Sequence, residues 1–138
     1  MQYVDSNVFI YAVVAYDKTV RKARLAKEIL IRIAEGKISA ATASLTWDEV
    51  VWSIRRELGS GIATEEGKRF LEFPNLKILS IDETVVSRAQ RLVEMDHLKP
   101  RDAIHVACCV ENNIREIISD DTDLDASNEV KRIGLDKA

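Results

Sequence analysis

The chain has only two cysteines, Cys108 and Cys109, and they are adjacent. No disulfide framework can be built from such a pair, and the expectation is a reducing, cytoplasmic setting. Proline occurs twice, at Pro74 and Pro100, and glycine five times, so neither a linker nor a low-complexity segment interrupts the chain. The longest unbroken apolar run is Val8 to Tyr16, well short of the ~20 residues of a membrane-spanning helix. No basic segment precedes the first apolar stretch, so no signal peptide is expected. There is no glycine-rich phosphate loop, and His97 and His105 lack partners at metal-ligand spacing. Nor is there an excess of positive charge. Lys and Arg number 20 against 23 Asp and Glu, a net of −3, which on its face argues against a nucleic-acid partner. What remains is 138 residues, 46% hydrophobic and 31% charged, the profile of one soluble globular domain spanning residues 1–138.

The apolar spacing is dense in regular elements. Gln2 to Val4 reads as a short strand that runs straight into an apolar segment. Asp17 to Glu35 reads as a helix with Leu25, Ile29 and Ile33 on one face, and Gly36 stands where a helix C-terminal glycine belongs. Ile38 to Ala40 is a short strand. Ser44 to Leu58 is a helix whose stripe is Trp47, Val51, Ile54 and Leu58, with Gly59 as its stop. A further helix starts at Ser60 or Gly61 and reaches about Phe73. Leu76 to Ile81 is a strand, and Asp82 is a good N-cap for a helix to about Met95. Pro100 suits the first turn of a helix from about Arg101 to Asn113. That helix is apolar nearly all round, so it should be central and buried. Glu116 to Ser119 is a strand, followed by the acidic run Asp120 to Asp125, a short helix and a small last strand. Strands alternating with helices predict a three-layer α/β sandwich, a central, mostly parallel sheet flanked by helices.

In such sheets ligands bind beyond the carboxyl ends of the strands. Asp5 ends the first strand, and Asp120, Asp121 and Asp123 follow the last main one. Asp102 lies in the first turn of the buried helix, and Glu49 comes early in the helix after the second strand. Converging carboxylates repel in low dielectric and are tolerated where cations compensate. Oxygen donors without a Cys or His set point to Mg²⁺ or Mn²⁺. Each acid also has a plainer reading. Asp5 can simply cap a helix starting at Ser6. Asp102 suits any helix N-terminus, Glu49 lies off the apolar stripe as a solvated Glu, and the Asp run can be a turn. His105 reads as a satisfied core residue and the two cysteines as small core side chains. An EF-hand beginning at Asp121 is excluded, because its sixth position is Ala126 rather than Gly and its twelfth Arg132 rather than Glu.

Four segments, taken together, resemble the PIN domain, and most closely its small prokaryotic VapC-type toxin ribonucleases. They are Val4-Asp5-Ser6-Asn7-Val8, Glu49 after Thr46-Trp47-Asp48, Arg101 to Ala107, and Ile117 to Leu124. The resemblance spans essentially the whole chain, in order and with family-like spacing. It implies a Mg²⁺- or Mn²⁺-dependent endoribonuclease that cleaves RNA phosphodiester bonds with a metal-activated water. Carried over by position, Asp5, Glu49, Asp102 and Asp121 are the catalytic acids and metal ligands. Asp123 assists at the metal, and Ser119 and Asn7 support the acids. The doubled Asp120-Asp121 leaves the register of the fourth acid open, and Leu124 stands where many members have an aromatic residue.

The resemblance further implies a protein antitoxin and a homodimer. With the five acids set against cations, the remaining charge is slightly positive. Lys18, Arg21, Lys22 and Arg24, then Arg55 and Arg56, and Lys99 and Arg101 become candidate phosphate contacts. Two alternatives stay open: a nuclease that processes ribosomal or transfer RNA, and an inactive PIN module that binds RNA or protein.

Overall fold

Tyr3 and Val4 are both fully buried, yet they belong to different hydrophobic clusters. Ile117 and Ile118 divide in the same way. Consecutive residues of a strand point to opposite faces, so these strands are covered on both sides, the condition of a parallel sheet between helix layers. The computed structural model describes residues 1–138. Its five strands are β1 (Gln2–Val4), β2 (Ala40–Ala43), β3 (Leu76–Leu79), β4 (Glu116–Ile118) and β5 (Lys131–Ile133). They form one sheet in the order β3-β2-β1-β4-β5, with every pairing parallel.

Six helices cover the sheet: α1 (Ser6–Val13), α2 (Val20–Ala34), α3 (Leu45–Leu58), α4 (Ser60–Leu71), α5 (Glu83–Asp96) and α6 (Pro100–Glu111). The first four supply one core, where Val8, Phe9, Ala26, Ile29, Ile33, Val50, Ile54, Ala63 and Phe70 meet Val4 and Ile118. The last two supply the other, where Val85, Ala89, Leu92, Val106, Cys108 and Cys109 meet Tyr3 and Ile117. The expected three-layer sandwich is therefore the architecture, with the sheet wholly parallel. Cys108 and Cys109 are fully buried and unbonded, as their reading as core side chains requires. No helix is long and apolar enough to cross a membrane.

The helix ends follow the expected chemistry. The Asp82 carboxylate accepts from the Val85 amide at 3.0 Å, and Pro100 stands in the first turn of α6. Gly59 joins α3 to α4 with φ 91°, a backbone region that costs a side chain. Several boundaries, and the buried face of one helix, differ from expectation. The helix expected from Asp17 begins as a 3₁₀ turn, Asp17–Thr19, before α2. β2 starts at Ala40 rather than Ile38. Its Ala-Ala-Thr-Ala run has little strand propensity of its own, but its small side chains fit between two helix layers. The stripe of α3 is also displaced by one residue. Thr46, Val50 and Ile54 face the core, whereas Trp47 and Leu58 are exposed. Thr46 tolerates burial because its hydroxyl meets that of Thr42 at 2.7 Å, while Thr42 donates to the Val4 carbonyl at 2.7 Å.

From β1 the chain builds outward to β2 and β3 on one side and later to β4 and β5 on the other. The strand order therefore reverses between β1 and β4, and their carboxyl ends open side by side. Val4 pairs with Ile118, so the next residues on the two strands, Asp5 and Ser119, emerge as neighbours.

Candidate active site

Asp5 is buried at the N-terminus of α1. Its Oδ1 caps the helix, accepting from the Ser6 amide at 2.7 Å. Its Oδ2 accepts from the Ser119 hydroxyl at 2.6 Å and from the Asn7 amide at 3.2 Å. Ser119 Oγ in turn accepts from Asn7 Nδ2 and from the Asp121 amide, both at 3.0 Å. One hydroxyl thus ties the end of β1 to the loop after β4. The capping reading of Asp5 therefore holds, and the same carboxylate also joins the loop after β4.

Asp102, Asp121 and Asp123 form a second group, with one oxygen from each within 4.8 Å of the others. Asp121 is held by that loop, where its Oδ1 accepts from the Asp123 amide at 2.9 Å. The Asp102 carboxyl is pushed up from 3.8 to about 6, first by burial and then by the negative charges of Asp121 and Asp5. A carboxylate set with this mutual repulsion, offering only hard oxygen donors, could hold a divalent cation.

Glu49 lies outside that group of three. It projects from α3 one turn beyond Thr46, at the edge of the buried face, and its Oε1 meets His105 Nε2 at 2.5 Å. The same nitrogen lies 3.9 Å from Asp5 Oδ1. His105 is buried on α6, as expected of a core residue, but its bonds run to Glu49 and, through Nδ1, to the Tyr3 hydroxyl at 2.6 Å. Burial pulls its pKa down. The bond to Glu49 and the charges of Asp5, Glu49 and Asp102 outweigh this and hold the pKa above its ordinary value. Burial also keeps the Tyr3 phenol well above its usual range, so its proton stays on. Composition and spacing gave no sign of Tyr3 or of the role of His105. The available signal was a histidine three residues after Asp102, hence on the same side of one helix.

Asp120 points elsewhere. Its carboxylate binds Lys22 at 2.7 Å and accepts from the Tyr11 hydroxyl at 2.8 Å. Lys99 reaches Asp123 at 3.1 Å. Two of the candidate phosphate contacts, Lys22 and Lys99, are thus engaged with acids.

Such a parallel sheet, with acids from α1, α3, α6 and the loop after β4 at its carboxyl edge, is the frame of a PIN domain. The family model described as PIN domain matches residues 2–129, and the chain belongs to that family. VapC20 from Mycobacterium tuberculosis, a sarcin-ricin loop cleaving toxin, shares the fold. Its TM-score is 0.74 at 17% identity, over 94% of this chain and 97% of that one. VapBC2 from Rickettsia felis, solved bound to a DNA fragment from its promoter, gives 0.71 at 14% identity over 97% and 98%. A toxin–antitoxin complex from Klebsiella pneumoniae gives 0.67 at 20% identity over 95% and 96%. No curated protein matches the chain by sequence.

Proposed function

We propose that this chain is a divalent-metal-dependent endoribonuclease and the toxin of a toxin–antitoxin pair. The observation that carries the reading is the grouping of Asp102, Asp121 and Asp123 beside Asp5 and Glu49, where the strand order reverses. The family is one of nucleases, and the solved structures of like fold include a sarcin-ricin loop cleaving toxin and a toxin–antitoxin complex.

Asp5, Glu49, Asp102 and Asp121, with Asp123 at the rim, would hold Mg²⁺ or Mn²⁺. When bound, the ion supplies Lewis-acid stabilisation of charge on the phosphate and lowers the pKa of a water. The chain's own residues supply position. Ser119 and Asn7 fix Asp5 by donating to its Oδ2. The pairing of Asp120 with Lys22 and Tyr11 favours Asp121 as the fourth acid. Lys99 sits where it can pass from Asp123 to a substrate phosphate. The RNA would be single-stranded or looped, where its bases are accessible. Residues 1–138 act as one PIN-like unit.

The test is incubation of the purified chain, free of antitoxin, with total RNA in Mg²⁺, in Mn²⁺ and in EDTA, beside Asp5→Asn. Discrete fragments that need metal and vanish in the variant are expected. Metal-independent cutting, or equal cutting by the variant, would refute the assignment. Growth arrest on expression, relieved by a neighbouring antitoxin gene, distinguishes a toxin from an RNA-processing enzyme.

A further inference from the structure

Glu49 is the one candidate acid that neither starts a helix nor sits in the loop after β4. Its side chain has three rotatable torsions and stands between exposed Asp48 and buried Val50. Yet it is only 16% exposed and held by a single donor, His105 Nε2, at 2.5 Å. No protein donor reaches its Oε2.

The donor behind it is itself oriented. The Ala43 amide donates to the Tyr3 oxygen at 3.0 Å. The Tyr3 hydroxyl is fully buried and must place its own proton on another acceptor, and the group within reach is His105 Nδ1 at 2.6 Å. That assigns the ring proton to Nε2, facing Glu49. Nearby acids favour a second ring proton, but this would set two donors against one another at Nδ1, so the bond pattern is that of the neutral ring. The edge-on packing of the two rings, with centroids 5.7 Å apart, fixes the imidazole plane. A continuous chain of donors thus runs from the backbone of β2 through Tyr3 and His105 to one oxygen of Glu49. The helix that carries His105 also carries Asp102 three residues earlier.

We propose that His105, oriented by Tyr3, is a positioning residue that presents Glu49 to the metal: it clamps Oε1 and leaves Oε2 for coordination. The proposal rests on Glu49 being a ligand of the ion proposed above. Hydrogen bonds behind a ligand are worth roughly 10–100-fold in metal affinity when they fix its orientation.

The test is calorimetric titration of the full chain with Mn²⁺, with thermal melting in EDTA to verify folding. The variants are Asp102→Asn, Glu49→Gln, His105→Leu, His105→Gln, Tyr3→Phe and the Glu49→Gln/His105→Leu pair. His105→Leu should weaken binding roughly 10–100-fold. His105→Gln, which keeps a donor near the place of Nε2, should recover most of the loss. In the Glu49→Gln background His105→Leu should change affinity no further, which a purely structural role would not produce. If His105→Leu does not fold, Tyr3→Phe loses one hydroxyl only and should still weaken binding. The proposal is overturned if Asp102→Asn and Glu49→Gln lose Mn²⁺ while the His105 and Tyr3 variants that fold bind it as the unsubstituted chain does. Equal binding by all the chains, Asp102→Asn included, would instead overturn the metal site itself, and the proposal with it.

Discussion

Asp102→Asn should make the metal-free protein more stable and the metal-bound protein relatively less so. In the folded chain the Asp102 carboxyl is raised from 3.8 to about 6. Its ionised form is therefore disfavoured by folding. A shift of that size corresponds to a ceiling of ~3 kcal/mol. The group is half-exposed, and solvent screening reduces this to about 1 kcal/mol. Asparagine removes the charge and keeps the shape, so in EDTA at pH 7.5 the variant should melt about 2–4 °C above the unsubstituted chain. The penalty is complete above the folded pKa and absent below the unfolded one. The advantage should therefore fade as pH drops from about 6 to about 4. Mg²⁺ at a hundredfold excess over its Kd adds ~2.7 kcal/mol to a chain that binds it, which the variant lacks, so the order of melting temperatures should invert. Differential scanning calorimetry across pH, with and without Mg²⁺, reads all three effects. A variant less stable in EDTA at pH 7.5, or equally stabilised by Mg²⁺, would refute the reasoning.

Three further outcomes follow from the packing. Ser119→Ala deletes the 2.6 Å donor to Asp5 and the acceptor used by Asn7 and Asp121. It should cost about 2 kcal/mol in urea unfolding, and a loss below about 0.5 kcal/mol would mean the hydroxyl is not the link described. Gly67→Ala would bring a methyl to 2.9 Å from Val51 Cγ2 and 3.1 Å from Trp47 Nε1. Crowding of ~1–3 kcal/mol should exceed the ~1 kcal/mol gain in helix propensity, lowering stability and shifting tryptophan fluorescence. Burial pushes the Cys108 thiol up to about 11 and Cys109 higher still. A thiol reagent at pH 8 should therefore label neither in the folded chain and both in guanidinium. Rapid labelling of the native protein would contradict the burial.

The strand–helix alternation and the caps at Asp82 and Pro100 were legible because each rests on local chemistry: backbone preference, a missing N–H, a short acceptor side chain. The stripe of α3 was not. Thr46 and Trp47 exchange the places their polarity suggests, because the partner that satisfies Thr46 is Thr42, a strand residue whose approach depends on the sheet. Periodicity alone sets Glu49 in solvent for the same reason, whereas the family resemblance names it among the acids. A stripe centred on Thr46, Val50 and Ile54 puts it at the edge of the buried face rather than far from it. The grouping of Asp102 with Asp121 and Asp123 was foreseen from the strand rule and from the family resemblance. The different partners of the doubled acid at 120–121 were hidden because Lys22 and Tyr11, which hold Asp120, lie roughly a hundred residues away in sequence. The same distance hid the link from Tyr3 to His105.

The central strand takes its two neighbours from residues 40–41 on one side and 117–118 on the other. A growing chain can therefore lay down β1, β2 and β3, with the helices between them, while one edge of β1 stays open. Asp5 is synthesised almost at once, but its fixing partner Ser119 and its fellow acid Asp121 come only near the end. Until then Asp102 has no Asp121 or Asp123 beside it, and Asp5 lacks the hydroxyl that orients it. The order of synthesis thus acts as a timer: the nascent chain carries Asp5 and Glu49 early but gains Asp102, Asp121 and Asp123 only late, and the acids come together with the last strands.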